Sequence, residues 1–211
     1  MKIIKEGAIE IYELAQSDRL FDHLETLLIA VQGVAVSVEF FTLGHTPSGP
    51  GDYINVCARH LPKEIRLPMY GPVQAAMINR RADCVQLSVS DRTPKPEAWR
   101  EIAGFRRFID AIFIPFLVSY HEENIDFIRL HYTKDRTKWP SAWQMSWAIR
   151  NAASHNGRVF ERETQQAVIW KGLSFAPAQD ASTPILSLIN GGDILMLMFD
   201  MELELGVLAS L

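Results

Sequence analysis

Ser141-Ala142-Trp143-Gln144-Met145-Ser146-Trp147-Ala148-Ile149-Arg150-Asn151-Ala152-Ala153-Ser154-His155-Asn156-Gly157 is the stretch on which the reading of the fold turns. Ser141-x-x-Gln144 has the form of a capping box, which predicts a helix starting just after Pro140. Asn156-Gly157 supplies the left-handed residue that commonly ends one. The last turns of that helix carry Arg150 and His155. Arginine offers a planar fork of donors that suits a phosphate. Histidine is the side-chain type that both takes and gives a proton near neutrality. The pair is sufficient chemistry for cleaving a phosphodiester without a metal. Asn151 and His155, four apart, share one face, whereas Arg150 lies about 140° around the helix from His155. They converge only if the long arginine side chain reaches over, or if it faces a second subunit.

Outward from this helix the pattern stays helical. Trp139, Trp143 and Trp147 recur every four residues, a spacing that points to core or an interface before it points to a platform for bases. Glu97 to about Thr133 reads as a long helix with one apolar stripe of Ile102, Phe105, Ile109, Ile112, Phe116 and Tyr120, which Pro115 should kink or break. Residues 19–43 form an earlier long helical pattern. Residues 44–72 are a Gly- and Pro-rich loop region with one short helix around Tyr53–His60. Residues 73–87 are weakly helical, and Ser88–Pro96 is a break. Residues 167–175 alternate around Trp170 like a strand, with 184–189 expected to pair with it, and the last helix follows Gly191-Gly192. The expectation is a mainly α fold, a helical bundle with a small β-hairpin before the last helix. Residues 1–95 would be an N-terminal helical region of unassigned role, packed on a second domain of residues 96–211.

Composition bounds the function. With 48% hydrophobic and 22% charged residues the chain is that of a folded globular protein. A net charge of −4 argues against a constitutive, non-specific nucleic-acid binder. The charge is uneven, however: in residues 129–162, Arg129, Lys134, Arg136, Lys138, Arg150, Arg158 and Arg162 stand against only Asp135 and Glu161. A local cationic groove on an acidic body suits a phosphate polymer held at one place, and a solvated charged loop at Thr133–Lys138 is the alternative. Cys57 and Cys84 are far apart and in no CxxC spacing, as expected of free thiols in a reducing compartment. Met1 to Gly7 lacks the apolar run of a signal peptide. The apolar stretch Leu27–Leu43 is interrupted by Gln32, Gly33, Ser37 and Glu39, which marks a buried helix and not a membrane span. A soluble cytoplasmic protein is expected. Neither GxxxxGK[ST] nor GxGxxG occurs. His121-Glu122-Glu123 and His131 lack the HExxH spacing and lie about 80° off one face, so neither a metal nor another cofactor is expected.

Arg150-Asn151-x-x-x-His155 at a helix end, running into Asn156-Gly157, resembles the signature of the HEPN superfamily, small helical domains of which many are ribonucleases in toxin–antitoxin and other defence systems. Ala167-Val168-Ile169-Trp170-Lys171-Gly172-Leu173 and Gly191-Gly192-Asp193-Ile194-Leu195, leading into Leu197–Met201, look like segments that follow the motif in some members. The match covers roughly residues 96–205. One subgroup is nucleotidylated on a tyrosine two residues after the histidine; Gly157 stands there, so that regulation is not supported. The resemblance implies a metal-independent endoribonuclease that cleaves single-stranded RNA through attack of the 2′-hydroxyl, leaving a 2′,3′-cyclic phosphate. Arg150, His155 and Asn151 would be catalytic, and Ser154, Arg158, Lys138 and Arg136 would contact substrate. It also implies a homodimer with a composite site, and an antitoxin or other partner protein. The alternative is a non-catalytic HEPN-type module that binds RNA, a nucleotide or a partner. A third reading is structural, with Arg150 and Asn151 bonded to the last carbonyls and His155 favoured there by the helix dipole.

Overall fold

Ile9-Glu10-Ile11-Tyr12-Glu13-Leu14 and Val85-Gln86-Leu87-Ser88-Val89-Ser90 alternate apolar and polar residues, which puts every second side chain on one face of an extended chain. In the computed structural model both segments are strands of one antiparallel sheet. The structure describes residues 1–43, 53–68, 70–92, 103–158, 167–175 and 183–209, without the side chains of 35–43 and 103–109. The chain divides into two units, one of Met1–Cys57 and Pro62–Ile112, the other of Ala58–Leu61 and Phe113–Leu211.

The first unit holds β1 (Lys2–Glu6), β2 (Ile9–Ala15), α1 (Phe21–Leu43), β3 (Tyr53–Cys57), β4 (Lys63–Pro68), α2 (Gly71–Met77) and β5 (Cys84–Asp91). Its five strands run in the order β1-β2-β5-β4-β3, each pair antiparallel. The β1–β2 hairpin turns at Gly7-Ala8, where Gly7 takes a φ of +63° that glycine adopts without a Cβ penalty. Directly opposed pairs place Leu14 with Val85, Tyr12 with Leu87, Ile65 with Val89 and Val56 with Ile65 on one face, and all of these are buried. α1 packs on β5 and buries Phe21, Leu24, Leu27, Leu28 and Val31. Cys57 and Cys84 are free thiols. They lie on β3 and β5 with β4 between, and Cys57 sits in register with Glu64 and Ser90, six residues along β5 from Cys84. No disulfide geometry spans that separation.

This sheet overturns the mainly α expectation: the chain is mixed α/β. Tyr53–Cys57 is β3 and not a short helix, residues 73–87 are the end of α2 followed by β5, and residues 1–95 are not a helical region. Tyr53-Ile54-Asn55-Val56 is rich in aromatic and β-branched side chains, which fit a pleated, half-buried surface better than a helix. Of the expected break at Ser88–Pro96, Ser88–Asp91 instead continue β5, while residues 93–96, like the Gly- and Pro-rich residues 44–52, lie outside the described residues.

The second unit contains α3 from Phe113 onward (the helix runs Ala103–Tyr132), a 3₁₀ turn at Arg136–Lys138, α4 (Ser141–Ser154), β6 (Val168–Trp170), β7 (Leu173–Phe175), α5 (Ile185–Leu188) and α6 (Gly191–Ala209). α3 continues through Pro115 without a break. Pro115 faces solvent, while Phe113, Leu117, Tyr120, Ile125 and Ile128 hold the helix by burial, so the cost of one missing backbone bond is offset. Of the expected stripe Tyr120 is buried, Ile112 and Phe116 are only half-buried, and Ile102, Phe105 and Ile109 lie outside the described side chains. β6 and β7 pair with each other across Lys171-Gly172, both at positive φ (+45° and +85°) as a tight hairpin turn requires. Residues 185–188 are a helical turn, not the second strand.

α6 is buried from Gly191 through Phe199, and α4 packs against it and against β6. A buried helix start leaves orphan N–H groups that water cannot satisfy. Asn190 and Asp193 solve this as a reciprocal cap, Asn190 Oδ1 accepting from the Asp193 N–H (3.1 Å) and Asp193 Oδ2 from the Asn190 N–H (3.2 Å). The same carboxylate accepts the backbone N–H groups of Arg59, His60 and Leu61 at 3.0–3.2 Å. A Cβ on Gly191 would lie 2.6 Å from Phe113 Cδ2. Gly191→Ala is therefore expected to destabilise this unit by about 1–3 kcal/mol through overpacking. Urea unfolding followed by tryptophan fluorescence reads it directly, since Trp139, Trp143, Trp147 and Trp170 all lie in the unit; an unchanged midpoint would mean that Phe113 yields.

Candidate functional site

The loop before α4 is built, not slack. Thr133 (φ +70°) accepts the Asp135 N–H on Oγ1 at 3.2 Å, and Asp135 caps the 3₁₀ turn by accepting from the Thr137 N–H (3.0 Å) and hydroxyl (2.8 Å). Those bonds hold the exposed Asp135 carboxyl below its ordinary pKa. Trp139 Nε1 donates to the Thr133 carbonyl at 3.0 Å and closes the loop. Lys134 and Lys138 are exposed, whereas Arg136 is half-buried with its guanidinium 3.8 Å from the centre of the Trp147 ring.

α4 starts after Pro140, as expected, but without the capping box. Ser141 is already helical and makes no cap, and Gln144 Nε2 donates instead to the Trp139 carbonyl at 2.7 Å. The other end is a Schellman arrangement: Asn156 is left-handed (φ +57°) and the Gly157 N–H reaches the Ala152 carbonyl at 2.8 Å. Ile185 N–H donates to the Gly157 carbonyl at 2.7 Å, which ties the helix end to the start of α5. Of the tryptophans, Trp143 is fully buried and Trp139 nearly so, while Trp147 is half-buried beneath Arg136.

The site residues can now be placed. Arg150, 39% exposed, donates from Nε to Glu122 Oε1 of α3 at 2.5 Å and from Nη1 to Asn151 Oδ1 at 3.4 Å. Only part of its five-donor fork is used. Ser154 is exposed and its hydroxyl donates to the Arg150 carbonyl at 3.2 Å. His155 caps the helix and is exposed, its backbone N–H held by the Asn151 (3.1 Å) and Ala152 (3.0 Å) carbonyls. Arg158, also exposed, forms a β-bridge with Pro184. The helix end thus gathers Arg150, Asn151, Ser154, His155 and Arg158, whereas Arg136 and Lys138 belong to its opposite end. Glu122, which sequence reasoning weighed only as a metal ligand, is the partner of Arg150; antiparallel packing of α3 and α4 makes that pair, and nothing in the local sequence announces it.

His121 is no part of this chemistry. It is buried, 5.5 Å ring to ring from Trp143, and its Nδ1 lies 2.7 Å from Ser146 Oγ. The Ser146 hydroxyl donates to the Trp143 carbonyl (3.0 Å), so Nδ1 is the donor to Ser146. His131 Nδ1 bonds the Phe127 carbonyl at 2.8 Å, and among the described residues no three His, Cys, Asp or Glu side chains group as a metal site. No helix among the described residues is long and apolar enough to cross a membrane. Compared with protein-family models, with curated proteins and with solved structures, the chain matches none.

Burial pushes the His121 imidazole down to about 4, with Glu122 opposing and Arg150 and Arg129 adding to the shift. The unfolded chain therefore takes up this proton first as pH falls from about 6.5 to about 4. Stability from the neutral imidazole is full above that window and is lost as pH drops through it, by about 2 kcal/mol between pH 7 and pH 5. Urea unfolding at the two pH values should show this loss in the wild-type chain and a flatter dependence in His121→Gln. An equal pH dependence in both would mean that other groups carry it.

Proposed function

We propose that the second unit cleaves single-stranded RNA without a metal, His155 serving as acid and base and Arg150 as the clamp on the phosphoryl oxygens. The observation that carries this reading is the exposed His155 at a rigidly capped helix end, within one turn of Asn151 and of an arginine with unused donors. A purely structural pair would be shielded; His155 is exposed, and the Arg150 side chain bonds Glu122 and Asn151 rather than the last helix carbonyls. The reading also uses the motif as its HEPN resemblance implies.

RNA carries its own nucleophile. The 2′-oxygen attacks the adjacent phosphorus while its proton passes to a base, and the P–O5′ bond breaks as an acid protonates the leaving oxygen. The products are a 2′,3′-cyclic phosphate and a free 5′-hydroxyl. Attack and departure lie on opposite sides of the phosphorus, so a single histidine serves both poorly. Two copies of the chain would supply one His155 to each side and one Arg150 each to the charge that builds between them. Asn151 would orient the imidazole or bond the ribose. Ser154 and Arg158 border the same helix end, and Arg136 and Lys138 would contact the flanking strand. A compartment where RNA is found, the cytoplasm, and an antitoxin that holds the activity off belong to the same proposal.

One observation favours a second reading. Glu122 already occupies Arg150 at 2.5 Å. If substrate does not displace it, the unit binds RNA without cutting. The test is incubation of the purified chain with labelled single-stranded RNA in EDTA, beside His155→Ala, Arg150→Ala and Glu122→Gln, each checked for folding and oligomeric state. Cleavage leaving a cyclic-phosphate end is expected, reduced by about 10²–10⁴ in His155→Ala, with Arg150→Ala comparably impaired and Glu122→Gln at least as active as wild type. Cleavage indifferent to His155→Ala would sink the proposal, and binding without cleavage would leave the second reading.

A further inference from the structure

The last turns of α3, the loop 133–138 and the middle of α4 enclose a groove of about 800 Å³ lined by Asp126, Arg129, Leu130, Lys134, Arg136, Trp139 and Trp147. All of it belongs to the second unit. Three cations face the single carboxylate of Asp126, which is paired with Arg129 at 3.0 Å. Lys134 has no ion pair among the described residues. The Arg136 guanidinium carbon lies 3.8 Å from the centre of the Trp147 ring, guanidinium over indole. Loop bonds from Thr133, Asp135 and Trp139 fix this surface in place. Leu130 is 80% exposed at the rim.

We infer that this groove is a subsite for one nucleotide of a single-stranded RNA, its base stacked on Arg136 and its phosphate held by Lys134 and Arg129. For the identity of the ligand the inference rests on the RNA reading above. Its own support is chemical. Unpaired bases stack on guanidinium planes and aromatic faces, and the size is that of a small-ligand pocket. A cationic wall with an aromatic floor matches a nucleotide, whereas an apolar peptide would leave Lys134 without a counter-charge. Trp147 precedes His155 by two helical turns, about 12 Å along α4 at 1.5 Å per residue and about 80° around it. A strand cut at His155 that follows α4 toward its start would reach the groove within about three to four stacked base steps at 3.4 Å. Stacking without groups aimed at base edges gives binding that tolerates sequence and rejects duplex.

The experiment uses the full chain carrying His155→Ala, so that RNA stays intact, and the fluorescence anisotropy of a short labelled oligoadenylate. Arg136→Ala is expected to weaken binding by about tenfold or more, the loss of one stacking contact. Trp147→Phe should stay within about threefold. The exposed Lys134→Gln, which carries little risk to folding, should lower the slope of log affinity against log salt by about one. A duplex of the same length should compete poorly. Arg136→Ala and Lys134→Gln binding like their parent, duplex competing as well as single strand, or no binding of the strand at all would each overturn the subsite. A chain that never cuts RNA but loses single-strand binding with Arg136→Ala would retain the subsite and discard the cleaving reading. A chain that cuts, with KM unmoved by Arg136→Ala, would do the reverse.

Discussion

The second unit depends on the burial of a helix start. α6 has no polar face from Gly191 through Phe199, so its first N–H groups cannot turn to water. One carboxylate, that of Asp193, answers by closing a reciprocal cap with Asn190 and by accepting three further backbone N–H groups from Arg59–Leu61. An uncompensated buried charge would be costly, but a carboxylate that accepts several N–H bonds is compensated where it sits. The helix so fixed is the floor on which α4 packs, and Gly191 allows Phe113 of α3 to approach it. The spacing of α3 and α4, and with it the Glu122–Arg150 pair, follows from that floor.

What was legible in the sequence was whatever is decided by neighbours in the chain. The end of α4 was readable from Asn156-Gly157, because a left-handed residue is a local requirement; Lys171-Gly172 carries a similar signal, yet 167–175 reads as one strand, which this turn divides into β6 and β7. The sheet was also written locally, in the alternation of residues 9–14 and 85–90, and was missed because the long apolar run of α1 set the expectation of helix throughout. The start of α4 shows the opposite fault. Ser141-x-x-Gln144 has the letters of a cap, but Pro140 occupies the cap position and Gln144 finds the Trp139 carbonyl instead. Distant pairings left no such trace. Glu122 meets Arg150, and Arg129 meets the loop at Lys134, only because α3 and α4 run side by side.

The Glu122–Arg150 pair cuts both ways at the candidate site. Both side chains are well exposed, 39% and 47%, so the pair adds at most about 1 kcal/mol to stability. A phosphodiester that offers two oxygens to the same fork competes on equal or better terms, since a bidentate charge-assisted contact is the stronger kind. In the proposed cleavage Glu122 would thus be a weak competitor that a phosphate displaces, and not a lock.

The placement of His155 argues for a site made by two copies. At the cap of α4 its backbone is fixed from both sides, by the Asn151 and Ala152 carbonyls and by the bond from Ile185 to Gly157, so the imidazole is mounted on a rigid element as a reacting group needs to be. The same mounting limits it. A side chain anchored there cannot swing to both faces of a phosphorus, and the unit's other described histidines are engaged elsewhere, His121 in the core, His131 on its own helix and His60 at the Lys171 carbonyl. In the proposed cleavage, with a histidine on each side of the phosphorus, the same helix end of another copy would supply the second imidazole.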